Sequence, residues 1–185
     1  MKKIILMLLL LCGISSTQAK IIPVTDVTHI QENLRSWLSK VMKEECKDKQ
    51  MEYIKQQLIN SLEMYTKVSN VISPNHLSYI NHVLKNQSVT FDRINQFYKT
   101  DHVADPEVFN MYKDKISRLA KRLSNNIEYS EKLGKPSIKM NDGERLEQYD
   151  RLDRELKEIN SDLDTYYTYY KALNSQLHIL RQLLK

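Results

Sequence analysis

Apolar residues recur along this chain at steps of three and four, the period of a helix face, and nowhere alternate with period two for long. Val27, Ile30, Leu34, Trp37 and Val41 make the first run. After a charged patch from Glu44 to Gln50 the stripe resumes at Met51, Ile54, Leu58, Leu62, Tyr65, Val68 and Ile72. No glycine or proline stands in the patch, so one long helix over about 26–72 is the expectation, with a kink or turn near 43–50 as the alternative.

Prolines mark the next boundaries. Ser73-Pro74 and Asp105-Pro106 each place a capping residue before a proline at the first helical position, where a missing N–H costs nothing. Gly134 with Pro136 beyond it reads as a helix stop. Two shorter helices follow, over about 74–99 and 106–133. The first carries Leu77, Ile80, Leu84, Phe91, Ile94 and Tyr98, with Gln87 at a seam position. The second carries Phe109, Tyr112, Ile116, Leu119, Leu123 and Ile127.

The final run, Leu156, Ile159, Leu163, Tyr166, Tyr170, Leu173, Leu177, Leu180 and Leu184, never slips register. It predicts a C-terminal helix over about 144–184, roughly 60 Å long. Tyr166 and Tyr170 fall on its apolar seam. Tyr167 and Tyr169 lie about 80° to either side. These two flanking rings are candidate partner contacts, because tyrosine suits half-wet interfaces; packing within the chain is the other reading. A stripe this narrow on a helix this long must be covered by something else. The expected fold is all-α: an elongated antiparallel helical bundle with coiled-coil character, two long outer helices and two shorter middle ones, in a single domain over 20–185.

Residues 1–19 read as a signal peptide. Lys2 and Lys3 precede the apolar stretch Ile4–Ile14, and Thr17 and Ala19 prepare a cut between Ala19 and Lys20. Eleven apolar residues are too few to span a bilayer, which takes about twenty. An uncleaved anchor and a lipid-modified Cys12 are the competing readings. Export to the periplasm, the cell surface or a pilus follows. Without Lys2 and Lys3, 26 basic residues face 23 acidic ones and the formal charge falls from +5 to +3. The charge is well mixed. Its densest basic run, Lys113–Arg122, reads as a solvated helix face. Cys46 is then the one remaining cysteine, either an inert thiol or an intermolecular disulfide partner.

Chemistry is hard to find. The histidines, His29, His76, His82, His102 and His178, include no pair four apart on one face, and there is no cysteine pair for zinc. Glycine is too scarce for a phosphate-cradling loop. Asn141–Glu147 (NDGERLE) lacks the alternating ligands of a calcium loop and reads as a turn and helix start. Asp101-His102 reads as a solvated linker pair. No enzyme activity, cofactor, metal, small-molecule substrate or direct nucleic-acid contact is expected.

The segment Pro23–Lys40 (PVTDVTHIQENLRSWLSK) resembles the opening of the TrbJ-like family, minor pilus and conjugal transfer proteins of type IV secretion systems. The likeness rests on Val24, Asp26, Asn33, Leu34 and Trp37, together with the helix layout. It implies a helical bundle with smaller appended helices, acting without enzymatic work in pilus assembly or tip contact. Its implied partners are other proteins of a secretion or pilus assembly, homo-oligomers included. The chain departs from the family after the tryptophan, where it has KVMKEECKDKQ instead of glutamine-rich repeats. A periplasmic coiled-coil chaperone or adaptor is the alternative function, although KIIPVT is too short and proline-broken for such a chaperone's leading strand.

Overall fold

The computed structural model describes residues 27–69, 72–99, 105–135 and 140–184. The leader, the Ala19–Lys20 junction, Val24 and Asp26 lie outside the described residues, as does Asp101-His102. Every described element is a helix: α1 (Val27–Lys43), α2 (Lys49–Val68), α3 (Pro74–Lys99), α4 (Pro106–Gly134) and α5 (Asp142–Leu183). They pack as a helical bundle about one continuous core.

The expected long first helix is two helices. The charged patch supplies no seam residue between Val41 and Met51, and its polar groups close a turn. The Asp48 side chain caps α2, accepting from the N–H of Gln50 at 2.8 Å and of Met51 at 3.4 Å. Lys40 and Lys43 in the last turn of α1 suit the negative end of its dipole. The turn is then tied to the end of α3: Asn95 donates to the Glu45 carbonyl at 2.9 Å, Lys99 pairs with Glu44, and Lys47 reaches the Lys99 carbonyl. A well-capped polar turn breaks a helix without glycine or proline. The two long outer helices thus reduce to one, α5.

The other boundaries follow their caps. Asp105 accepts from Glu107 and Val108 ahead of Pro106 at the start of α4. Asn141 and Glu144 form a reciprocal capping box, with bonds of 2.9 and 3.0 Å, that launches α5. At 42 residues α5 is about 63 Å long.

α3 is the central element and touches all four others. Its position explains its buried polar residues, Gln87, Ser88, Thr90 and Asn95, which no solvated helix face would need. Gln87 donates to Asn126 Oδ1 at 2.9 Å and to Ser130 Oγ at 3.0 Å, both on α4. Asn126 donates onward to the Leu152 carbonyl of α5 at 3.1 Å. From α2, Tyr65 donates to the Ser130 carbonyl at 2.5 Å. Since Tyr65 has one proton, the 3.0 Å contact between the Tyr65 and Tyr149 hydroxyls must be donated by Tyr149.

Gly134 ends α4, as the sequence suggests, yet neither described glycine has a positive φ. Its role is space. A Cβ at Gly134 would stand 2.5 Å from the Tyr65 hydroxyl oxygen. Gly134→Ala is therefore expected to destabilise by about 1–3 kcal/mol through overpacking, where the same change in an open helix gains about 1 kcal/mol. Urea unfolding of the two proteins measures the difference.

Candidate interaction surface

Three tyrosines of α5, Tyr166, Tyr167 and Tyr170, meet the ends of α3 and α4 in an aromatic cluster. Phe97 stacks on Phe109 at 5.1 Å, meets Tyr98 and Tyr167 edge-on and packs at a tilt against Tyr170. Tyr112 packs against Tyr166 and Tyr170, with the Lys115 ammonium 5.0 Å from the Tyr112 centroid and 5.4 Å from that of Tyr166. Such edge-to-face rings combine large buried area with directional contact.

The two flanking rings have different environments. Tyr167 donates to the Arg93 carbonyl at 2.7 Å, and burial pushes its phenol up to about 12. It belongs to the α3–α5 contact, beside the Arg93 guanidinium, which binds Asn160 and Asp164. Tyr169 is 59% exposed and faces outward. Of the pair, Tyr169 keeps an accessible ring.

Beyond the aromatic cluster α5 leaves the bundle. Tyr170 is 7% exposed and Leu173 and Leu177 are half-buried, but Leu180 is 53%, Leu183 77% and Leu184 87% exposed. Ile179 adds a further exposed apolar side chain at 56%. The seam continues without interruption while its cover ends, because α3 stops at Lys99 and α4 starts at Pro106. Two contacts at the N-cap of α4 steady the emerging helix: Asn174 accepts from the Asp105 N–H at 3.0 Å, and Arg181 forms an ion pair with the Asp105 carboxylate. Sequence periodicity identified these leucines as seam but could not show where their cover ends.

Other candidates are occupied internally. Cys46 is a free, half-buried thiol in the α1–α2 turn; burial, with Glu52 nearby, pushes it up to about 11, which suppresses the thiolate needed for disulfide formation. In the basic run, Lys115 covers two rings and Arg122 faces Glu155, Glu158 and Asp162 at 2.7, 3.0 and 3.1 Å. A groove of about 450 Å³ between α4 and α5 contains Arg122 together with Arg151, and Tyr129 closes one side by bonding Gln148. His76 and His82 pair with Asp142 and Asp153 at 3.7 and 3.2 Å. Among the described residues no group of three or more histidine, cysteine or acidic side chains is placed to hold a metal, and no helix is long and apolar enough to cross a membrane. On α1, Leu34 is buried and Trp37 packs at the core margin, both in structural roles.

Tyr167→Phe is expected to cost about 1 kcal/mol through its lost hydrogen bond, whereas Tyr169→Ala stays within about 0.5 kcal/mol; denaturant titration separates them. Four phenols are raised by burial: Tyr98 and Tyr167 to about 12, and Tyr65 and Tyr149 in the same direction. A raised phenol disfavours ionisation in the folded state. Its stabilisation is therefore complete below the unfolded value near 10 and is lost as pH climbs through 12. Phenolate absorbance should rise in two phases, the later one coinciding with loss of helicity, and Tyr167→Phe should diminish that later phase.

No protein-family model, curated protein or solved structure matches the chain.

Proposed function

We propose that this protein is an exported, non-enzymatic component of conjugative transfer or type IV secretion machinery, an elongated bundle of coiled-coil character acting in pilus assembly or tip contact through helical protein–protein surfaces. The observation that carries the reading is the uncovered leucine seam at the end of α5, with Ile179, Leu180, Leu183 and Leu184 all more than half exposed. Contiguous apolar surface of this kind is costly in water and marks an association site. The conjugative setting comes from the resemblance of Pro23–Lys40 to the TrbJ-like opening, and the leader-like residues 1–19 are consistent with it.

The internal chemistry agrees with a binding role. The buried hydroxyls and amides of Tyr65, Gln87, Asn126, Ser130 and Tyr149 bond one another across helices, which suits rigidity. A firm bundle holding a projecting helix loses little entropy when that helix is bound. Deleting the gene should lower plasmid transfer by an order of magnitude or more, with growth and envelope integrity unchanged and transfer restored by the wild-type gene. Undiminished transfer in the deletion strain overturns this reading.

A further inference from the structure

The α5 tail has the geometry to bind a second copy of itself. Resting on the binding role just proposed, we infer that two chains join end to end through an antiparallel pairing of residues 173–184. Leu173, Leu177, Leu180 and Leu184 step four, three and four, alternating the two core positions of a heptad. Turned about a two-fold axis between Leu177 and Leu180, the stripe meets itself. Leu177 then lies opposite Leu180 of the second copy, and Leu173 opposite its Leu184. All four layers are leucine, each pairing an exposed Leu180 or Leu184 with the uncovered part of a Leu177 or Leu173 that also packs against its own core.

The flanking positions agree. Asn174 and Arg181 occupy one margin of the seam, Gln176 and Leu183 the other. These positions select coiled-coil partners by charge. Here the single charge, Arg181, is already balanced by Asp105 of its own chain. In the antiparallel arrangement it faces Asn174 of the second copy, so no like charges oppose one another. Residues 165–185 include no acidic side chain, so a basic partner helix would find no complementary charge on this stretch.

Direction is set by the body of the protein. Nearer the bundle the same seam is filled by Phe97 and Tyr112, which contact Tyr170. A parallel partner would have to run its own α5 through the space that α3 and α4 occupy. An antiparallel partner places its body at the far end and avoids this. The surface each tail offers is small, Leu180, Leu183 and Leu184 with the uncovered parts of Leu173 and Leu177, so the pairing falls at or below the lower edge of specific interfaces. A reversible dimer is the expected result.

Sedimentation equilibrium and small-angle scattering on the purified full chain test the pairing. A concentration-dependent dimer is expected, with a longest dimension near 110 Å, since two helices of about 63 Å overlap over about 18 Å. The variant L180E/L184E should be monomeric at every concentration while keeping its helicity and Tm, because both positions lie outside the folded core. The variant L180I/L184I should still dimerise. A chain that stays monomeric up to about 100 μM, a dimer no longer than one copy, a dimer that survives L180E/L184E, or a monomer whose tail binds anionic lipid vesicles would each overturn the inference. A monomer in a strain whose transfer depends on the gene overturns the pairing alone, and a dimer in a strain with undiminished transfer overturns the secretion reading alone.

Discussion

Three helices, α2, α3 and α5, converge on adjacent turns of α4. Ser130 accepts the Tyr65 hydroxyl at its carbonyl and the Gln87 amide at its hydroxyl, while its own hydroxyl proton goes to the Ile127 carbonyl at 2.9 Å. One turn earlier, Asn126 joins Gln87 to the backbone of α5, and Tyr149 of α5 closes the layer on Tyr65. None of these groups has easy recourse to water. A buried polar atom left without its partner costs about 1–3 kcal/mol, more than a satisfied bond contributes net. The layer therefore matters less as a source of stability than as a penalty on every other alignment. Sliding any helix by one turn would leave several of these atoms unpaired at once.

That constraint fixes where α5 stands. Leucine seams alone tolerate a shift of a heptad, since one layer of leucine resembles the next. The bonds at Tyr149 and Leu152 remove that freedom at one end of the helix, and the Tyr167–Arg93 and Asn174–Asp105 bonds remove it at the other. With α5 held at both places, the remaining length of the helix must project. The exposed leucines are thus a consequence of register rather than of fraying. Gly134 belongs to the same arrangement, because the Tyr65 hydroxyl can reach Ser130 only if the residue one turn below has no side chain.

The helical class, the starts of α3 and α4 and the seam of α5 were legible in the sequence because each rests on a local rule: a 3.6-residue period, or a capping residue before proline. The break between α1 and α2 was hidden for an equally physical reason. Asp48 is a good cap, but asparagine, serine and aspartate occur widely on helix surfaces, and the turn is held mainly by Asn95 and Lys99, about fifty residues away. Gln87 was visible as a polar intruder in a seam, though its partners Asn126 and Ser130 were not, since pairing across helices leaves no periodic trace. Tyr167 and Tyr169 looked equivalent by angle. Only the position of Arg93 distinguishes the ring bonded into the bundle from the ring left outside it.

The aromatic cluster separates two regimes of the same helix. Below it, Leu156, Ile159 and Leu163 of the seam are buried in the bundle; above it, Leu173 and Leu177 are half-covered and Leu180 and Leu184 meet solvent. Large rings suit that boundary, since Phe97, Tyr112 and Tyr170 close the end of the core with contacts directed sideways, and the Tyr167 hydroxyl adds a bond to the Arg93 carbonyl of α3. An end sealed in this way stays ordered whether or not the tail is occupied. A partner at the tail, as proposed above, would then meet the last three helical turns without requiring the core to reorganise, and the free energy of association would go into burying leucine instead of completing an unfinished fold.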